Sequence, residues 1–319
     1  MVAYQVENGI TGILAVGTTG ESPTLAWEEH DAVVARVAEQ ARGRCLCIAG
    51  TGSNNTSEAL KATEHAAHLG VDAVLLVDPY YNGPSSLEIR REYVAPIAEQ
   101  FPGLQIIPYI IPGRTGAQLL PEDLAFLFDA YPNVATVKEA TANLENMRRT
   151  RVCCGPEFSI FSGDDAMTFE MMTDPTIKAD GVISVASNLA PKAITEMVAL
   201  LAKGDMDGAR AAMEKVAPLF ELVTVKTKEK TPRGDVLCRA RNPLALKTAM
   251  ALLGMPSGPC RRPLGKMSRQ GLDFVIGVIR KVWAQNPDVL KPIEQFFGMD
   301  IDERLNNPNY REGLCYEAY

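Results

Sequence analysis

The sequence predicts an α/β fold: a (β/α)8 TIM barrel whose first strand is missing, followed by a C-terminal helical domain. Three observations carry this reading. Apolar runs of strand length alternate with amphipathic helical segments from the start to about residue 204. The strand runs are almost continuously apolar, as expected when helices cover a parallel sheet. Polar side chains collect just after the strands, at Thr18, Thr19, Tyr80, Tyr81, Tyr109, Arg114, Lys138 and Asp164. A doubly wound sheet would concentrate its chemistry at one switch point. Chemistry drawn from the ends of many strands is the habit of a barrel.

Strands are expected at 10–17, 44–52, 72–81, 105–112, 134–140, 158–164 and 180–186. Helical periodicity falls between them at 25–41, 57–69, 87–100, 122–130, 143–149, 166–172 and 192–203. Residues 2–8 read as the end of a helix whose preceding strand is absent. A barrel short of one strand leaves two unpaired edges, so we take the gap as a property of the given start site and not as a new fold. The expected organisation is therefore an N-terminally incomplete barrel over 1–204, a helical domain over 205–285 and a tail over 286–319. In the helical domain, periodicity marks 206–222, 242–253 and 269–283. The Lys-, Arg- and Thr-rich stretch 225–241 reads as a solvated loop, and 286–319 as an extended tail with one helix.

Composition narrows the function classes. An apolar content of 46% supports a large core, and a net charge of −7 argues against a broad nucleic-acid footprint. No run approaches the roughly 18 apolar residues of a membrane span. The N-terminal residues lack the basic-then-apolar order of a signal peptide. Seven cysteines without a CxxC pair read as reduced thiols of a cytoplasmic protein.

Lys138 ends the apolar run 134–140. A lysine there either marks the point where the strand meets water or is a desolvated amine acting as a nucleophile. At an unshifted pKa near 10.4, roughly one lysine in a few thousand is neutral at pH 7, and desolvation raises that fraction. The glycines of Gly17-Thr18-Thr19-Gly20-Glu21-Ser22 allow a tight turn whose N–H groups can converge on a carboxylate. Tyr80, Tyr81 and Tyr109 either pack the strand ends or form a hydroxyl relay with Thr18. Arg114, on a tight loop, can offer a fork to a carboxylate. A metal route is disfavoured: His30, His65 and His68 all fall in expected helices, and no third ligand accompanies the His65/His68 pair.

Jointly, the motifs GTTGES (17–22), AGTGSNNT (49–56), PYYNGP (79–84), PYIIPGRTG (108–116), VKEAT (137–141), SGDD (162–165) and GVISVASN (181–188) resemble those of one family. It is the dihydrodipicolinate synthase / N-acetylneuraminate lyase family of pyruvate-dependent class I aldolases. The resemblance implies a barrel with a C-terminal helical domain, assembled as a homotetramer and needing no cofactor. Lys138 would form the imine with pyruvate, and Tyr109 would move protons at that imine. Thr18 would link Tyr109 to Tyr81 of a neighbouring subunit. Thr18 and Thr19 would hold the pyruvate carboxylate, with Ile183, Gly163 and Asp164 beside the reacting centre. Arg114 resembles the arginine that receives the second substrate's carboxylate, which favours the synthase branch.

The implied reaction condenses pyruvate with aspartate 4-semialdehyde on the way to lysine and diaminopimelate. Ser22, Trp27, His30, Asn54, Glu58 and Tyr80 match positions that bind lysine as a feedback inhibitor; the other reading is helix surface and subunit packing. The sequence departs from the family at Ile110 and Gly113, which replace an amide and a hydroxyl, at the absent opening strand, in 225–241 and in the tail. Two alternatives stand beside the synthase. One is an aldolase of the same family acting on a 2-keto-3-deoxy sugar acid, 4-hydroxy-2-oxoglutarate or N-acetylneuraminate. The other is a barrel without catalysis that serves binding or assembly.

Overall fold

In the computed structural model, which describes residues 1–319, the seven expected strands form one parallel sheet in chain order. They are β1 (Gly12–Ala15), β2 (Leu46–Gly50), β3 (Ala73–Val77), β4 (Gln105–Ile110), β5 (Thr136–Glu139), β6 (Ser159–Ser162) and β7 (Gly181–Val182). Each strand pairs with its sequence neighbours, the order of a barrel and not of a doubly wound sheet. The strands are shorter than the apolar runs because those runs continue into the loops that carry the polar residues. No pairing joins β1 to β7, so each presents a free edge.

The helices between strands begin and end on local signals. They are α1 (Val2–Glu7), α2 (Trp27–Ala41), α3 (Thr56–His68), α4 (86–100), α5 (Pro121–Ala130), α6 (Leu144–Cys154), α7 (Thr168–Thr173) and α8 (Pro191–Lys203). Asn55 caps α3 through Ser57 N, and Asn143 caps α6 through the N–H groups of Glu145 and Asn146. Pro191 opens α8, and Gly204, at φ +76°, closes it. Helix α6 runs past its expected end at 149 and stops only at Gly155, where φ is +79°.

Strand alternation decides what faces inward. On β3, Val74 and Leu76 join the layer between sheet and helices, while Ala73 and Leu75 turn into the barrel. On β4, Ile106 and Ile110 face the helices, and Ile107 and Tyr109 face inward. On β5, Val137 packs outward, which sends Lys138 to the interior beside Tyr109, its register partner on β4.

The C-terminal region corrects two expectations. Its helices α9 (Met206–Phe220), α10 (Leu244–Leu252) and α11 (Arg269–Gln285) lie close to the expected spans. The stretch 225–241, however, is a β-hairpin and not a solvated loop: β8 (Thr224–Thr231) pairs antiparallel with β9 (Gly234–Arg241) across the turn Pro232-Arg233. Its alternation is visible in retrospect. Lys226, Lys228 and Lys230 point to water, while Val225 and Glu229 are buried. Glu229 Oε1 accepts from Ser268 Oγ at 2.6 Å and so ties the hairpin to the start of α11. The lysine-rich composition masked a strand whose outer face is solvated.

The tail, expected to be extended, folds back as α12 (Lys291–Phe297) and α13 (Ile301–Asn306). Val289, Leu290, Ile293, Ile301 and Leu305 are buried in the C-terminal core. Arg304 donates to the carbonyls of Leu252 (2.6 Å) and Ala251 (3.0 Å), satisfying the open end of α10. Phe296 and Phe297 pack at 5.4 and 5.2 Å from the ring of Tyr4, whose hydroxyl donates to Leu189 O. Helices of one or two turns hold too few periods to register as amphipathic in sequence.

Candidate functional site

The C-terminal ends of the strands enclose the candidate site. Lys138 is 7% exposed and belongs to no ion pair of the structure; its Nζ lies 4.2 Å from the centre of the Tyr109 ring. Desolvation is the main cause of a pKa lowered to about 8; the nearby Arg114 guanidinium pushes the same way and the buried Asp165 carboxylate opposes it. The strand-end lysine is thus the desolvated amine. Gly163 gives it room: a Cβ at 163 would stand 3.1 Å from Lys138 Cε and 2.8 Å from Ala140 Cβ.

Tyr109 is also buried, and burial pushes its hydroxyl up to about 12, against the influence of Arg114 and the Thr18 hydroxyl. It therefore remains a proton donor at neutral pH. The Gly17–Ser22 loop reverses direction at Val16, a β-branched residue at φ +47°, which is costly away from a functional turn. Gly50 makes the turn possible, because a Cβ there would stand 2.7 Å from Val16 O. Thr19 Oγ1 accepts from Asn242 Nδ2 at 2.9 Å, and Asn242 O accepts from Arg114 Nη2 at 3.1 Å. One C-terminal residue thereby connects the threonine loop to the arginine loop.

A cavity of about 260 Å³ opens here, lined by Thr18, Ser22, Tyr80, Tyr109 and Arg114 among others. Ile183 joins the apolar lining of the barrel interior around Tyr109. Asp164 caps the turn after β6 through Ala166 N, at 3.0 Å. Tyr81 stands apart: it is 92% exposed, at φ +76°, and does not reach Thr18 within its own chain. Of the departures from the family pattern, Ile110 faces the helices at 1% exposure, so that change lies outside the site. Gly113 is in the arginine loop, where its carbonyl accepts from Arg241 Nη1 at 3.1 Å.

The six residues expected to bind lysine are spread around this loop system. His30 is buried, with Nε2 2.9 Å from Gly50 O and the Trp27 ring at 4.9 Å. Glu58 accepts from Ser53 Oγ, and Asn54 Oδ1 is buried without a partner. Ser22 and Tyr80 line the cavity.

Sequence reasoning missed four residues. Asn242 and Arg241 come from the end of the hairpin that read as a loop. Asp165 accepts from Val185 and Ala186 N–H at 2.9 and 3.0 Å, joining the β6 and β7 ends beneath Lys138. Glu139 is buried, and accepts from Thr141 N at 2.7 Å and Asn146 Nδ2 at 2.9 Å. The acidic neighbours in SGDD and VKEAT were the available signal for the last two. No signal marked Arg241, because its contact with the arginine loop joins residues 128 positions apart in the chain. No three His, Cys, Asp or Glu side chains gather as a metal site, and no helix is long and apolar enough to cross a membrane.

Comparison with known proteins places the chain in a family. The profile of the Dihydrodipicolinate synthetase family matches residues 1–281. The 4-hydroxy-tetrahydrodipicolinate synthase of Methanococcus maripaludis is 39% identical over 267 residues, covering 84% of this chain and 85% of its own. That of Trichlorobacter lovleyi is 42% identical over 268 residues, covering 84% and 86%. The solved structure of the Methylacidiphilum fumariolicum synthase superposes with a TM-score of 0.80 at 35% identity, covering 92% of this chain and 90% of that one. The lysine-bound dihydrodipicolinate synthase of Cyanidioschyzon merolae gives 0.79 at 35%, covering 88% and 89%. A family match over most of the chain, relatives near 40% identity and a shared fold lead to one conclusion: the chain belongs to the dihydrodipicolinate synthetase family.

Proposed function

We propose that this chain is a 4-hydroxy-tetrahydrodipicolinate synthase, a lyase that condenses pyruvate with aspartate 4-semialdehyde in lysine and diaminopimelate biosynthesis. The observation that carries the reading is the buried, weakly basic amine of Lys138 over the Tyr109 ring. Neutral Nζ attacks the pyruvate ketone and water leaves, giving a protonated imine. Loss of a methyl proton gives an enamine, whose carbon attacks the aldehyde. Tyr109 donates and recovers protons at this centre, and Thr18 and Thr19 hold the pyruvate carboxylate. Gly163, Asp164 and Ile183 shape the space around the imine, and Arg114 receives the carboxylate of the aldehyde. The imine chemistry needs no added cofactor.

The exposed, left-handed Tyr81 fits a side chain that completes a neighbour's relay. In this reading the protein is cytoplasmic and its working unit is a homotetramer. An aldolase acting on sugar acids would use Lys138 and Tyr109 equally. The arginine at the mouth favours an aldehyde that carries a carboxylate. Assays with pyruvate and aspartate 4-semialdehyde should show condensation far above background, and cleavage of 2-keto-3-deoxy sugar acids should be negligible. The reverse pattern moves the assignment to the other aldolases.

Lysine feedback belongs to the same proposal, at Ser22, Trp27, His30, Asn54, Glu58 and Tyr80. The unpartnered Asn54 Oδ1 is an acceptor suited to the ammonium group of an amino acid. Titration calorimetry should detect lysine binding at or below millimolar concentration, reduced at least tenfold in Glu58→Ala. No heat at millimolar lysine removes this part.

A further inference from the structure

We propose that Arg241, at the end of the C-terminal hairpin, works with Arg114 as a two-guanidinium clamp for the carboxylate of the aldehyde substrate. The inference rests on the synthase reading and adds a specificity-determining residue to it. Arg241 Nη1 donates to Gly113 O, one residue from Arg114, while Arg114 Nη2 donates to Asn242 O, one residue from Arg241. These reciprocal bonds hold the two side chains against each other across the mouth of the barrel. Neither guanidinium forms a salt bridge, although ten Lys/Arg–carboxylate pairs occur elsewhere in the chain.

No carboxylate offsets the charge of either guanidinium. Burial is the main cause that lowers the basicity of both; Arg241 lowers that of Arg114 further, and Arg239, two positions back on the same face of β9, acts on both. Arg241 Nε is buried without an acceptor. Two half-buried cations with an open donor and no counter-ion constitute an anion site, because a carboxylate between them relieves the repulsion and takes up the open donor. The site adjoins the cavity that holds Tyr109 and Thr18, so an anion there lies on the path of a substrate reaching the imine. The hairpin that lengthens the C-terminal domain thus delivers a substrate-binding residue.

The test is kinetic, with Arg241→Ala and Arg241→Lys. In Arg241→Ala, KM for aspartate 4-semialdehyde should rise about tenfold or more, while KM for pyruvate and borohydride trapping of the pyruvate adduct stay within about twofold of the parent. Arg241→Lys, which keeps the charge and loses the fork, should recover part of the loss. An unchanged KM for the aldehyde overturns the clamp. So does a parallel rise in both KM values that lysine does not rescue, since that marks a merely structural hairpin residue. Succinate, a four-carbon probe that cannot react, is titrated into the borohydride-reduced pyruvate adduct of each form. This arm reads the clamp even if the parent enzyme fails to condense aspartate 4-semialdehyde. Weaker succinate binding in Arg241→Ala supports the clamp, and equal binding rejects it.

Discussion

Lys138→Met should abolish borohydride trapping of pyruvate and lower kcat/KM for condensation by about 10⁴-fold or more, because no other buried amine faces the site. The same substitution should make the protein more stable at neutral pH. The amine titrates near 8 when folded, against an ordinary 10.5, since burial disfavours its charge. A lysine whose pKa falls on folding destabilises the native state below the folded pKa. That cost fades between pH 8 and 10.5 and is gone above it. Methionine fills a similar volume without a charge, so the gain at pH 7 should be about 2 kcal/mol and should shrink toward zero by about pH 10.5. Denaturant melts across that range measure it directly. A Lys138→Met protein that is less stable at pH 7 would contradict the desolvated amine. In the parent enzyme, kcat/KM for pyruvate should climb about tenfold per pH unit up to about pH 8 and then level off, following the neutral amine.

The second large effect belongs to Tyr109. Tyr109→Phe keeps the ring under Lys138 and removes only the proton carrier, so imine trapping should persist while kcat for condensation falls about 10²- to 10³-fold. The aromatic face still supports the lysine, so the protein should fold normally. The split between intact trapping and lost turnover separates proton transfer from nucleophile activation. Equal loss of both would assign Tyr109 to positioning of the lysine. Because burial holds its hydroxyl protonated up to about pH 12, loss of activity on the alkaline side below pH 10 should not come from Tyr109.

Much of the site was legible because its residues follow strands. Each apolar run marks a parallel strand, and the polar residues at or just past the strands' C-terminal ends sit on one rim. That reasoning placed Thr18, Thr19, Tyr109, Arg114 and Lys138 together. It failed at the hairpin, where lysines at every second position were taken for a loop, and in the tail, whose helices are too short to show a period. Both errors concealed contacts between distant parts of the chain. Asn242 meets Thr19 across 223 residues, and Arg114 meets Asn242 across 128.

The sequence by itself determined the seven parallel strands, the helices between them and the place of a lysine at the end of the fifth strand. Those depend on periodicity and on local turn chemistry, which a linear chain displays. Tertiary structure alone decided that Lys138 is dry, that Gly163 leaves room for its stem, and that Arg241 reaches Arg114. Burial and charge proximity are properties of packing, set by which distant surfaces meet, and no spacing along the chain encodes them.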